Sequence, residues 1–169
     1  ENLGGLSLVQ HWDRCIDLTE NEKWIMILGD DDYLNDNVVE AFYSNQNDYN
    51  KNAYVIRFAS QMVFDNNVNS QVYNHPIWEN SKDSFYRKHK CLTRSSLSEH
   101  IFLKEQYLKH KFYNYPLAWF SDDRAWIDFS EKKPIYTINE AKVFVRMSSE
   151  SISGKQDNLV QKRKSSSLF

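Results

Sequence analysis

Two acidic clusters hold the residues of this chain whose types could do chemistry: Asp30-Asp31-Asp32 and, far downstream, Asp122-Asp123. Three adjacent carboxylates repel one another, and a cation nearby relieves that repulsion. A hard divalent ion, Mg²⁺ or Mn²⁺, held by one or two carboxylates together with the phosphates of a nucleotide, suits such a triplet. Asp122 and Asp123 follow Ser121 at what reads as the start of a helix, where the helix dipole favours ionised carboxylates. An ionised carboxylate beside a substrate hydroxyl is what a general base requires. Both clusters also have a plainer reading. The triplet reads equally as a solvated turn ahead of a helix capped by Asn35 or Asp36, and the pair as ordinary first-turn acids. An EF-hand is excluded, because its loop needs a glycine at the sixth position and the acidic run has none. A phosphatase that forms an aspartyl phosphate fits poorly, because Leu34 stands where a threonine is wanted.

The elements around the clusters decide between these readings. Trp24-Ile25-Met26-Ile27-Leu28 is an unbroken apolar run, the pattern of a strand buried on both faces in a parallel sheet. Gly29 ends it and lets the chain turn. The triplet is then expected at the carboxyl end of a central strand, where open α/β sheets bind ligands. Ahead of it, Leu6, Val9, Trp12 and Ile16 mark an amphipathic helix over residues 7–19. Val38 to Tyr43 predicts a helix after the triplet, residues 45–52 a polar loop, and Ala53 to Phe64 a strand with Arg57 facing away from Tyr54, Ile56 and Phe58. A hairpin turn is expected at 65–70, an extended piece near 72–78, and a helix over 81–89. Residues 97–103 read as a strand running into a helix over 104–111, and Tyr113 to Pro116 as a loop. Ser121 to Phe129 reads as a capped helix, followed by short strands at 134–138 and 142–147.

Length and composition set the bounds. The 169 residues suffice for one domain with a proper core, and the aromatic share of 15% hints at ring-lined clefts. A net charge of −2 argues against a nucleic-acid-binding surface. The two cysteines, Cys15 and Cys91, have no CxxC or histidine spacing and read as reduced, buried thiols of a cytosolic protein. No apolar stretch is long enough to span a bilayer. None of the five histidines (His11, His75, His89, His100, His110) pairs at zinc-ligand spacing.

The two clusters, their order and their surroundings resemble the GT-A glycosyltransferases, in particular the inverting enzymes of family 2. Asp30-Asp31-Asp32 is similar to the DXD region of that family and Asp122-Asp123 to its acidic ED-type motif. Asn2-Leu3-Gly4-Gly5 and its helix, the Ser98–Phe102 strand, and the Val143–Ser153 segment resemble the family's intervening and closing segments. The resemblance implies an α/β fold: a truncated GT-A mixed sheet, like those of nucleotide-diphospho-sugar transferases, with flanking helices. One domain is expected over residues 1–154, with a basic C-terminal helix or tail over 155–169. The family's first nucleotide-binding strands have no match here, so the chain is expected to be the C-terminal portion of a longer enzyme. The cut sheet is then expected to self-associate over its exposed face.

The resemblance also assigns roles. In this register Gly29 falls where the family's first DXD aspartate stands, leaving Asp31 as metal ligand, with Asp30 and Asp32 contacting ribose, metal or water. Asp123 takes the base position and Asp122 the supporting one. Arg146 is suited to reach the diphosphate, Trp119 and Phe120 to stack on an acceptor sugar with Tyr113 and Tyr115 as helpers, and His100 to stand near the acceptor. The plain alternatives are core packing for the rings and a surface position for Arg146. Where a histidine often follows the closing arginine, this chain has Ser148 or Ser149.

The implied activity is transfer of a sugar from a nucleotide-diphosphate donor to a hydroxyl acceptor, with inversion and a divalent cation. The acceptor is a saccharide or a lipid-linked saccharide, as in surface polysaccharide biosynthesis, and the setting is cytoplasmic. Lys162-Arg163-Lys164 would add peripheral contact with anionic lipid at about 1 kcal/mol per charge, against the reading of a solvated tail. The competing function is a non-catalytic fragment or interaction module that keeps the fold without binding a donor.

Overall fold

The computed structural model describes residues 6–65, 68–148, 151, 152, 154, 155 and 157–169. They form a mixed α/β structure in which one mixed sheet lies between helices. The strands, in chain order, are β1 (Trp24–Met26), β2 (Tyr33–Leu34), β3 (Val55–Phe64), β4 (Asn69–Tyr73), β5 (Trp78–Glu79), β6 (His100–Leu103) and β7 (Ile135–Met147). Across the sheet they lie in the order β1-β6-β3-β7-β2, with β4 on β3 and β5 on β7. Among the described residues only the β3–β7 pairing is parallel; the others are antiparallel.

The expectation of a central, doubly buried strand at Trp24–Leu28 is therefore corrected. β1 is three residues long and pairs among the described residues with β6 alone; only Ile25 is buried, and Leu28 is exposed. The strand buried on both faces is β3. Val55 packs into one core with Val9, Trp12, Ile25, Phe102, Tyr107, Trp126 and Phe129. Ile56 and Phe58 pack into the other with Phe42, Tyr49, Tyr136, Ile138 and Val143. An apolar run of five cannot by itself tell a central strand from an edge strand leaning on a helix, because both bury alternate residues well.

The helices are α1 (Leu8–Ile16), α2 (Val38–Ser44), α3 (Gln46–Tyr49), α4 (Ser81–His89), α5 (Lys104–His110), α6 (Ser121–Ser130) and α7 (Leu159–Leu168). The Ser7 side chain caps α1 by accepting from Gln10 N–H, and Val9, Trp12 and Ile16 face the core as expected; Leu6 is exposed. The polar loop expected at 45–52 contains the single turn α3, fixed by the fully buried Tyr49, whose hydroxyl donates to the Phe42 carbonyl at 3.0 Å.

The two strands expected at 134–138 and 142–147 are one strand, β7. Its register against β3 shifts so that Phe58 faces Ile138 while the next residue, Ala59, faces Lys142. The residues looped out between them serve as anchors. Asn139 clamps the His75 backbone from both sides at 3.0 and 2.7 Å, and the Glu140 carboxylate accepts from Asn45 at 2.7 Å. A bulge that re-aims side chains in this way is a built feature.

In the C-terminal segment the helix packs against the rest of the fold. Residues 159–168 are a packed helix. Ser165 is buried and donates to the Pro116 carbonyl at 2.8 Å, and the Phe169 ring lies against Phe85, Phe120 and Tyr115. Both cysteines are free and exposed, which corrects the expectation of burial. Among the described residues no helix is long and apolar enough to cross a membrane.

Candidate functional site

Asp122 and Asp123 lie in the first turn of α6 and line a cavity of about 300 Å³. Its walls come from α1 (Leu8, Trp12), from residues 95–97, and from the segment Leu117-Ala118-Trp119-Phe120 that leads into α6. Ser121 is not the cap that its type suggests. The residue before the helix is Phe120, held in the left-handed region at φ 71°, and Ser121 is the first helical residue. Leu117 and Ala118 also have positive φ, 59° and 54°. Left-handed backbone at non-glycine residues costs about 1–2 kcal/mol each and persists only where surrounding packing enforces it. α7 supplies that packing: Ser165 holds Pro116, the Lys162 ammonium sits 4.8 Å from the Trp119 ring centre, and Phe169 packs on Phe120. The strain thus presents two adjacent aromatic rings to the cavity beside two carboxylates.

Asp123 is the buried acid of the pair, with its side chain 5% exposed. The Lys88 ammonium donates to both carboxylate oxygens at 2.7 Å. Burial, and then the charge of Asp122, push Asp123 up to about 7, with Lys88 opposing. Burial alone would lower Lys88, but Asp122 and Asp123 carry it above its ordinary value, so the ammonium stays charged. Behind the pair a chamber of about 10 Å³, near the room needed for one water, is lined by Ser84, Ser95 and Trp126 among others.

The position of Lys88 is set by the end of its helix. Cys91 N–H donates to the Lys88 carbonyl and Leu92 N–H to the Arg87 carbonyl, both at 2.9 Å, closing a Schellman turn with Cys91 left-handed at φ 55°. Arg87 is pinned in turn by Glu79 at 2.7 Å, and Glu79 also receives the fully buried Arg57 at 2.8 Å. Arg57, expected to face away from Ile56 and Phe58, lies outside their cluster and is itself fully buried, bonded also to Ser84 and Thr137.

The acid triplet lies elsewhere. Asp30 and Asp31 are exposed, and none of the three aspartates lines the cavity. Asp32 is the structural member: its carboxylate accepts from the Ser98 hydroxyl at 2.5 Å and from the Arg146 backbone N–H at 2.8 Å. Burial raises its pKa, against those two hydrogen bonds. Gly29 serves the same turn, since its N–H donates to Ser98 at 3.1 Å and a Cβ there would come within 2.9 Å of the Asp32 carboxylate. Arg146 thus meets the triplet through its backbone, and its side chain is exposed. Residues 96–99 join the two acidic regions: Ser98 holds the Asp32 turn, while Ser96 and Leu97 line the cavity.

His100 does not line the cavity. It is buried, stacked on Trp126 at 4.3 Å, with Nδ1 2.8 Å from the Ser96 carbonyl. Tyr115 is buried in packing, and Tyr113 is exposed outside the cavity lining. Trp119 and Phe120 do line it. The Ser148–Ser153 segment falls partly outside the described residues; within it, Ile152 contributes to the cavity wall.

Two participants were not singled out from sequence. Lys88 carries no local signal, because its partner is distant in the chain. Glu99 does carry one: Ser96-x-x-Glu99 has capping-box spacing, and in the structure Glu99 accepts from Ser96 N–H at 2.7 Å and from its hydroxyl at 2.5 Å. Burial would raise Glu99, but Arg94 beside it and the Ser96 hydrogen bonds bring it down to about 2. It stays ionised directly behind the cavity wall.

No protein-family profile matches the chain, and no curated protein matches it.

Proposed function

We propose that the chain carries the acceptor side of an inverting, GT-A-like glycosyltransferase, with Asp123 as the general base. The supporting observation is the cavity itself: a buried carboxylate of raised pKa at a helix N-terminus, beside Trp119 and Phe120. A pKa near neutrality suits a base that takes a proton at physiological pH. Aromatic faces suit the apolar face of a sugar ring. In this reading the acceptor hydroxyl gives its proton to Asp123 as its oxygen bonds to the anomeric carbon of the donor. The bond from that carbon to the diphosphate breaks on the opposite face, and no protein nucleophile takes part. The remaining contribution is orientation.

The resemblance to the family assigns a divalent cation to Asp31. Exposed hard-oxygen donors at Asp30 and Asp31 fit such an ion when phosphates complete its shell. Among the described residues no three His, Cys, Asp or Glu side chains converge to hold a metal unaided. When bound, the ion would supply Lewis-acid neutralisation of the diphosphate leaving group.

The decisive measurement is thermal stabilisation by Mn²⁺ together with each common nucleoside diphosphate. Stabilisation is expected only when metal and one nucleotide are both present. It should vanish in Asp31→Ala and survive in Asp123→Asn. No shift with any pair would remove donor binding and favour the second reading, a module that keeps the fold without a donor. The observation favouring that second reading is the Lys88 ion pair, which gives the buried Asp123 a structural partner at both oxygens.

A further inference from the structure

The Lys88 contact resolves into a role within the proposed reaction, and the inference rests on that reading. Lys88 supplies every hydrogen bond described for the Asp123 carboxylate. Each oxygen keeps a further lone pair beside the ammonium, so an acceptor hydroxyl can share the carboxylate with the lysine. Asp122 lines the same cavity from the same helical turn, and its charge helps to keep Lys88 protonated.

The backbone beneath the lysine is fixed. The Schellman turn closes α4 at Lys88, and the Arg87–Glu79–Arg57 chain of ion pairs ties the helix to β3 and β5. The lysine stem leaves this fixed backbone beside the cavity, with its side chain 25% exposed.

We propose that Lys88 is a positioning residue: its ammonium, bonded to both oxygens, orients the buried Asp123 carboxylate and favours its ionised form. The charges facing Asp123 from the packed elements are Lys88 on α4, Asp122 on its own helix, and Glu99 ahead of β6, itself paired with Arg94. Among the described residues, Lys88 is the one cation in contact with it. Removing that cation leaves burial and two acids acting together, all of which favour the protonated form.

The test reads Asp123 directly, in protein carrying ¹³Cγ-aspartate, by following its carboxyl resonance with pH. In Lys88→Met the ratio of protonated to ionised Asp123 at pH 7 should rise at least about tenfold over wild type. Lys88→Arg should restore the wild-type titration, because it returns a cation to the carboxylate. An unchanged titration in Lys88→Met overturns the proposal. Should Lys88→Met fail to fold, Lys88→Gln takes its place, and loss of fold in both assigns the pair to stability alone and overturns it equally. No donor is needed for this measurement. A shifted titration without nucleotide-dependent stabilisation would sink the transferase reading and leave the ionisation role standing.

Discussion

Gly29, Asp32 and Ser98 form a three-residue lock in which each group has one job. Ser98 accepts from Gly29 N–H and donates to Asp32, and Gly29 lacks the Cβ that would crowd that carboxylate. Ser98→Ala leaves a half-buried carboxylate short of one donor. A loss of about 1–3 kcal/mol is expected in urea denaturation, the usual cost of orphaning such a group. Arg57 is the larger risk. Its guanidinium is fully buried on Glu79, Ser84 and Thr137. Arg57→Met strands the Glu79 charge, still shared with Arg87, and should cost about 3–5 kcal/mol by the same measurement. If Asp123 is the base, Asp123→Asn should lower turnover of an identified donor by about 10²–10⁴-fold while leaving nucleotide binding intact.

Two elements carry strain next to the cavity, and they should respond in opposite ways. Cys91 occupies the left-handed position of the turn that ends α4, where glycine has no steric cost. Cys91→Gly should therefore stabilise the protein by about 0.5–1 kcal/mol, read as a raised denaturation midpoint with an unchanged slope. The segment from Leu117 to Phe120 differs, because its aromatic residues line the cavity and α7 holds it in place. Phe169→Ala removes the ring that packs on Phe85, Tyr115 and Phe120. It should lower stability by about 1–3 kcal/mol and speed amide exchange across residues 117–120 more than in α2.

Over the whole molecule, acid lability follows from the interior histidines and Glu99. Burial, opposed for His100 by the Glu99 charge, holds His75 and His100 down at about 3, so both are neutral in the fold. The unfolded chain protonates them near pH 6.5. Their stabilising contribution is therefore complete above that pH and is lost as pH falls from there towards 3, at on the order of 1 kcal/mol per pH unit for each. Glu99 adds a loss as pH falls from about 4.5 towards 2. Asp123 acts in the opposite direction: its raised pKa favours the fold at low pH, and that contribution is lost as pH rises through about 7. Thermal melts from pH 8 to 4 should fall steeply below 6.5, and His100→Gln should flatten that fall.

The helices at 8–16, 38–44 and 81–89 and the strand-to-helix passage through Leu103-Lys104 were legible in the sequence, because local spacing decides them, while the turn expected at 65–70 lies partly outside the described residues. The Asp122-Asp123 pair at the head of α6, with Trp119 and Phe120 beside it, was legible for the same reason. Position within the sheet was not. Trp24–Met26 lies at an edge and β3 at the centre because strand order depends on which distant segments pair, and no local pattern encodes that. Nor could spacing show that Lys88 closes on Asp123, that Asp32 is spent on Ser98 and Arg146, or that α7 braces the cavity. Each of those contacts joins residues far apart along the chain, and only packing brings them within a hydrogen bond.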